Sequence, residues 1–557
     1  MTFHRKDCDS LRKQIRKNSF IEGTFAAYFA IVLTKILGAL YSIPFYGIIG
    51  DGGGVIYACS YNIYVIFLSI ATSGIPSAIA IVISEYNAKE MYGTNERVYR
   101  LSRRLVATIA IISFILLEVF ANVFAKFLMG DISQGVPVTD IASGIRAIAV
   151  CLLIVPFLSI RRGYLQGYKF ISVSSNSQVV EQVVRIAVVL AGSFITITVF
   201  HLPVVIGVCL ALLGAAIGAA ASMLYLFLRT RGSGEIIHPY PDPNEAIASD
   251  REIIRKVFGY CVTIVLVSVA TSIYEMVDMK LLLVGLHKLA FADDVTQIIA
   301  SIQATWIPRI GVIITSISMG ITTSIVPHMA ESHVLGENDK IIGKINQAIG
   351  TIFLIAIPLC TGIIVCAEPV YRLFYGYAEY GPSLLQLHVV VCVLASMTLT
   401  LEMILQGLGL GKWVCFCVIF GSVVNAALDL PFIFFLNRIG IAPYLGASSA
   451  SIVGQGITIV LLLDPIIKQY GFSYKPMLIT FVKVIIPALI MSVVVYGVRR
   501  VIPIADGRGI LFLIELMIYG IVGVIVYGLI TLKAGVIAGV IGQDSMDGLM
   551  RRLRIKK

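Results

Sequence analysis

The sequence predicts an all-α polytopic membrane protein of about fourteen transmembrane helices, two six-helix lobes in parallel repeat followed by two C-terminal helices. Three observations carry this. The 557 residues are 58% hydrophobic and only 13% charged, with a mean hydropathy of +0.92, whereas soluble domains are about half apolar and about a quarter charged. Runs of about 20 or more apolar residues recur between short polar breaks. The two halves echo each other across one long polar break.

The first run, residues 20–49, follows a basic tail over residues 1–19 and is too long for the apolar core of a cleaved leader. Spans at residues 55–83, 105–128, 141–160, 173–199 and 203–229 complete an N-lobe over residues 20–230. The stretch "GSGEIIHPYPDPNEAIASDREIIRK" carries Pro239, Pro241 and Pro243 and reads as a linker over residues 231–256. Spans at residues 257–286, 306–330, 345–370, 383–408, 412–436 and 447–467 form a C-lobe over residues 257–467. Two further spans, 478–498 and 508–533, occupy residues 478–533, and a tail over residues 534–557 ends in "RRLRIKK".

The repeat is visible in two places. "SGIPSAIAIVISE" (Ser73–Glu85) lies over "MGITTSIVPHMAE" (Met319–Glu331), and "LQG" recurs at Leu165–Gly167 and Leu405–Gly407. An even number of spans per repeat gives both halves the same orientation, and substrates of such proteins bind between the halves. With the N-terminus inside, the inner segments hold about 30 of the 43 Lys and Arg residues and the outer loops about six. The net charge of +11 is therefore a topology signal with both termini cytoplasmic, and a nucleic-acid partner is not expected. The ten cysteines are scattered without zinc spacing and read as small core residues.

Charges inside the spans are the informative residues. Lys126, Arg146 and Lys483 lie near span ends, where snorkelling explains them. Lys280 is intermediate and Arg309 lies near the outer end of its span. Lys35 and Arg185 lie close to mid-span, where a charge costs roughly 2.5–3.5 kcal/mol and faces a wet cavity or a partner. Lys35 either snorkels, pairs with the distant Glu118, or binds an anion. Gln178, Glu181, Gln182 and Arg185 share one helical face, so Glu181 and Arg185 either neutralise each other or face a cavity together. The second half differs. Ser268, Thr271, Glu275 and Asp278 line one face of the seventh span, and Ser422, Asn425 and Asp429 one face of the eleventh. Two acids with amide and hydroxyl oxygens suit a hard cation such as sodium, or else are bonded acids that pack helices.

Catalytic chemistry is not expected. "LGLGKW" lacks the first glycine and the Ser/Thr of a phosphate loop, the adjacent Asp293 and Asp294 read as solvated loop acids, and the histidines are scattered. No cofactor is expected apart from coupling to Na+ or H+.

The run "LTKILGALYSIPFYGIIGDGGGVIYACSYNIYVIFLSIATSGIPSAIAIVISEYNA", the break after six spans, the LQG repeat and the two added helices resemble the YtgP and MurJ-like lipid II flippases, and more broadly the SpoVB-type polysaccharide exporters of the MOP superfamily that includes MATE transporters. The resemblance implies a multi-pass protein of the bacterial plasma membrane that works by alternating access, driven by membrane potential or a cation gradient. Its implied substrate is an undecaprenyl-diphosphate-linked peptidoglycan precursor. Membrane lipids and cell-wall synthesis proteins are the implied partners. The family places an arginine where Lys35 stands and a second about two turns later, where this chain has Tyr41. It implies a substrate cavity with Lys35, Glu181, Gln182, Arg185 and Arg309, and a sodium site of Asp278, Asn425, Asp429 and Ser451, with Ser449 as the neighbouring hydroxyl. Rival expectations are a flippase for capsule, teichoic or O-antigen precursors, a cation-coupled drug exporter, and a non-transporting cell-wall scaffold.

Overall fold

The computed structural model describes residues 17–541 apart from residues 73, 130–136, 232–246, 293–294, 297, 300–301, 304–306, 376–378 and 503–509. Most of the two basic tails, most of the proline linker and the Asp293–Asp294 pair thus lie outside the described residues. Among the described residues the regular structure is helical throughout, and thirteen helices are long and apolar enough to cross a membrane. The chain is a multi-pass membrane protein. Exposed large apolar side chains such as Val493, Val501 and Val524 crowd its C-terminal helices, as a lipid-facing surface requires.

The chain divides into two compact units, Met1–Ile264 with Val326–Leu335, and Val265–Ile325 with Gly336–Lys557. The first holds α1 (Phe20–Leu40), α2 (Ser42–Thr72), α3 (Ile75–Ala88), α4 (Tyr92–Met129), α5 (Val138–Ala149), α6 (Val155–Gly167), α7 (Ile171–Phe194) and α8 (Val204–Thr230). Then follow α9 (Asp250–Lys288), α10 (Ile307–Val334), α11 (Asn338–Val365), α12 (Ala367–Tyr375), α13 (Gly381–Gly407), α14 (Gly411–Arg438), α15 (Gly446–Tyr470), α16 (Tyr474–Val501), α17 (Ile510–Lys533) and α18 (Val536–Ile541).

The first two expected spans are drawn differently by the structure. The 20–49 run ends as a helix at Leu40, and α2 is interrupted at Gly50, whose φ of 63° an L side chain rarely adopts. The 55–83 run is shared between α2 and α3, which starts after Gly74 at φ 74° with Pro76 in its first turn. Hydropathy passes over the breaks at Tyr41 and Gly74 because neither interrupts its apolar run, whereas Gly50 lies in the expected gap between the two runs. The fourth span is likewise two helices, α5 and α6, joined through the 3-10 turn Val150–Leu153 at Pro156. Other helices outrun their apolar stretches. The early turns of α4 carry Arg97, Arg100, Arg103 and Arg104, and α9 starts at Asp250, inside the expected linker. Arg97 and Asp250 pair at 2.6 Å.

In the first unit α7 packs along α1 and α8, and α3 lies on α6. Ile141, Ile145 and Ile148 of α5 are fully buried against Leu117, Ala121 and Ala125 of α4. Glycines set the closest approach. A Cβ on Gly163 would stand 2.6 Å from the Pro76 carbonyl oxygen, and one on Gly167 2.7 Å from the Ile83 side chain. This small-xxx-small spacing lets backbones meet, and close packing substitutes for the hydrophobic drive that is missing between helices in lipid. The sequence "LQG" therefore contributes its glycine to a helix contact, while Gln166 donates to Ser174 at 3.0 Å. Two carboxylates are tied nearby: Glu85 to Lys256 and to the Tyr260 hydroxyl at 2.6 Å, and Glu331 to Lys169.

In the second unit α14 lies along α15, α13 packs on α15 and α11, and α16 on α11 and α17. Gly421 and Gly454 bring α14 and α15 together. A Cβ on Gly454 would stand 2.8 Å from the Asn425 Cβ.

Replacing Gly163 with alanine should lower stability by on the order of 1–3 kcal/mol, because the Pro76 backbone cannot move aside cheaply. The readout is the melting temperature of purified protein. Gly497→Ala, whose Cβ meets nothing within 4 Å, should leave it unchanged or raise it.

Candidate functional site

The first unit carries the fixed cations. Arg162, at the middle of α6, is held by three hydrogen bonds. Its Nη2 donates to Glu181 at 2.7 Å and to Ser222 Oγ at 2.9 Å, and its Nε donates to Ser177 Oγ at 2.8 Å. Ser222 and Ser177 in turn donate to the backbone oxygens of Ser177 and Ser174. Glu181 is thus neutralised across helices by Arg162. The internal Glu181–Arg185 pair, one of the two expected outcomes, does not form.

Arg185 is left without a carboxylate. Its guanidinium carbon lies 5.5 Å from the centroid of the Tyr61 ring, and Tyr41 and Tyr57 complete the surround. The Tyr41 and Tyr57 hydroxyls are 3.5 Å apart. The Arg185 Nε is buried and has no acceptor. Gly38 of α1 faces the amide of Gln182, where a Cβ would lie 3.3 Å from Nε2. Lys35 lies one turn before Gly38 and is exposed. Its suggested partner Glu118 instead lies 4.0 Å from Arg146. Among the described residues no carboxylate pairs with Lys35 or Arg185. Arg185 from α7 stands beside Tyr41, the position where the resemblance places a second arginine on the first helix. The charge is present in this neighbourhood, carried by a different helix. Arg309 belongs to the second unit, where it is exposed at the start of α10 and acts on the Tyr375 hydroxyl.

The second unit carries the acids. Asn425 Nδ2 donates to Asp429 Oδ1 at 3.3 Å, and Asp278 of α9 reaches both side chains. Asn425 and Asp429 are buried. Three oxygens remain without any donor: Asp278 Oδ1, Asn425 Oδ1 and Asp429 Oδ2. Buried polar atoms in native structures are almost always satisfied, so an orphaned set is a place where water or an ion can be taken up. Two carboxylate oxygens and one amide oxygen are donors of the kind a hard monovalent cation takes. Ser451 is buried beside them, its Oγ 2.8 Å from the Tyr274 hydroxyl. Ser449 is turned away and donates to the Leu445 carbonyl at 2.9 Å. The residues present fit the ion. Among the described residues no group of three or more His, Cys, Asp or Glu side chains is placed to hold a metal ion.

Sequence reasoning missed Arg162, Tyr57, Tyr61, Tyr274 and Glu402. Arg162 lies just beyond the expected span of residues 141–160, although α6 continues through it. Glu402, buried in α13, was readable as an acid alone in the apolar run "LTLEMILQG".

Comparison with known proteins gives three kinds of match. The model of the polysaccharide biosynthesis protein family matches residues 20–291. The chain is similar to the lipid II flippase MurJ of Bacillus subtilis, at 28% identity over 492 residues, which cover 87% of this chain and 89% of that one. It is similar to stage V sporulation protein B of the same organism, at 28% identity over 214 residues, 38% of this chain and 39% of that one. A solved multidrug resistance MATE family transporter of the MOP superfamily shares the fold with a TM-score of 0.63 at 13% identity, covering 82% of this chain and 96% of that one.

A double-mutant cycle separates the two arginines. Arg162→Ala with Glu181→Ala should show a coupling of about 1–3 kcal/mol in thermal stability. Arg185→Ala with Glu181→Ala should be additive within about 0.5 kcal/mol.

Proposed function

From a MurJ-like chain with the MOP transporter fold, we infer a flippase that carries a lipid-linked oligosaccharide with an undecaprenyl-diphosphate-type anchor, lipid II being the favoured substrate, from the inner to the outer leaflet. The observation that carries this reading is the two cations Lys35 and Arg185, with no carboxylate partner among the described residues and an unused Nε on Arg185. A diphosphate supplies the missing acceptors. Lysine meets it as a point charge and arginine as a fork of donors. The tyrosine hydroxyls of Tyr41, Tyr57 and Tyr61 add neutral donors beside Arg185. The polyprenyl tail stays in lipid while the headgroup crosses, and both termini lie in the cytoplasm by the charge bias of the loops.

Asp278, Asn425 and Asp429, with Ser451 beside them, would hold a monovalent cation, sodium by preference of its oxygen donors. The ion supplies charge neutralisation to two acids that otherwise repel. It shifts the conformational equilibrium only by its differential affinity for the two states.

Expression in a bacterial strain depleted of its own lipid II flippase tests the substrate reading. The wild-type chain should restore growth. Lys35→Ala and Arg185→Ala should fail at normal membrane abundance, and Lys35→Arg should restore function. Full rescue by both alanine variants would overturn the role given to the cations.

The cation reading is tested on purified protein melted in sodium or choline chloride at equal ionic strength. Sodium should stabilise the wild type by on the order of 1–3 kcal/mol if coupling is typical, and Asp429→Asn should lose the effect.

A further inference from the structure

The second unit holds a partly open cavity of about 360 Å³ among α9, α10, α13, α14 and α15. That volume holds on the order of ten waters at about 30 Å³ each. Its wall is polar for a membrane interior: Glu275, Thr315, Ser318, Thr398, Glu402 and Gln455 line it. Glu402 is 5% exposed. Its carboxyl group makes no hydrogen bond or ion pair among the described residues. Gln455 Oε1 accepts from the Thr398 hydroxyl at 2.7 Å, and the Gln406 amide, one turn after Glu402, makes no bond to it.

The groups that face this side chain are acidic or neutral. Helix α9 presents Tyr274 and Glu275, and α14 presents Cys415 and Cys417. Helix α10 brings only hydroxyls and Met319 to the wall, and α15 brings Gln455 and Thr458. Asp464 of α15 acts on Cys417 and is itself held by Lys468 at 3.0 Å. No Lys, Arg or His lines the cavity.

An intramembrane carboxylate without a donor or a fixed cation carries its charge at a prohibitive cost and takes up a cation of its own. A metal ion needs several oxygens together, and here the Gln455 oxygen is occupied by a hydroxyl proton. A proton needs one oxygen and a route of water, and the cavity supplies the route. We propose that Glu402 is a proton-binding site of the second unit, separate from the Asp278–Asn425–Asp429 cluster and served by this cavity. The transport cycle would then involve two cation sites in one unit, one for a metal cation and one for a proton. Asn425 also lines the cavity, so the occupancy of one site is felt at the wall of the other. The proposal stands whether or not the transported substrate is lipid-linked.

Dicyclohexylcarbodiimide reports the protonated acid. The carboxyl proton passes to a carbodiimide nitrogen, the carboxyl oxygen adds to the central carbon, and an oxygen-to-nitrogen acyl shift leaves a stable N-acylurea with nothing else consumed. Purified full-length protein is treated across a pH series in sodium or choline chloride, and peptides are read by mass spectrometry. Glu402 should be modified at neutral pH, with modification falling about tenfold per pH unit once titration is passed. Exchange of sodium for choline should leave it unchanged, and the Asp429→Asn variant should retain it. Infrared spectra should show a protonated-carboxyl band at neutral pH that is missing from Glu402→Gln, which settles the state of the group if the reagent does not reach it. Absence of both the adduct and the band would overturn the proposal. So would modification that sodium suppresses in the wild type but not in Asp429→Asn, which would merge Glu402 with the other cluster.

Discussion

The Arg162–Glu181 ion pair governs what the rest of the first unit can do. It joins α6 to α7 and takes up the one acid on the face of α7 that carries Arg185. A buried pair of this kind adds little net stability, but breaking it leaves a charge stranded. With Ser177 and Ser222 accepting from it as well, Arg162 has its Nε and Nη2 committed within this unit. Arg185, one turn further along α7, is open because Arg162 is not. The same rule applies to Glu118 and Arg146, to Glu85 and Lys256, and to Glu331 and Lys169. Once these pairs are counted, Lys35, near the end of α1, and Arg185, midway along α7, stand out as charges of this unit that no acid meets among the described residues.

These arrangements depend on how closely the helices approach. Gly163 and Gly167 seat α6 on α3 and so fix where Arg162 projects. Gly218 does the same on the other side, since a Cβ there would stand 2.7 Å from the Glu181 carbonyl oxygen. In the second unit Gly454 seats Asn425, and Gly421 gives room to Thr458. In each unit glycine contacts place the polar side chains, and the polar side chains give those contacts their purpose.

Much of the fold was legible in the sequence because lipid imposes a simple code: long apolar runs must be helical. What was misread has a common cause. The helix end at Tyr41, the start of α3 after Gly74 and the turn before Pro156 break helices without breaking hydropathy, so an apolar window passes over them. The opposite error occurs at α4 and α9, which continue as charged helix beyond the apolar runs. At the site, residues four apart on one helix were readable, and Asn425 and Asp429 do bond as spacing suggests. Spacing also offered Glu181 and Arg185 as a pair, and there it failed, because a partner on another helix has no signature along the chain. Tyr57 and Tyr61 escaped notice for the same reason.

The two units have opposite electrostatic characters, and the proposed transport follows from the difference. The first holds fixed positive charge with no acid to meet it, so it favours an anion. The second holds Asp278, Asp429 and Glu402 without a fixed positive charge at any of them, so it favours mobile cations. Fixed charge needs no loading step, whereas mobile charge can be exchanged with either side of the membrane. A diphosphate moving outward across an inside-negative potential gains about 2.3 kcal/mol per unit charge per 100 mV. An inward-moving cation gains in the same direction of the field. The two movements therefore add, and a chain with cationic and acidic units can draw on potential and ion gradient together. A drug exporter for organic cations would need acids where Lys35 and Arg185 stand, and the positive charge placed there disfavours that reading.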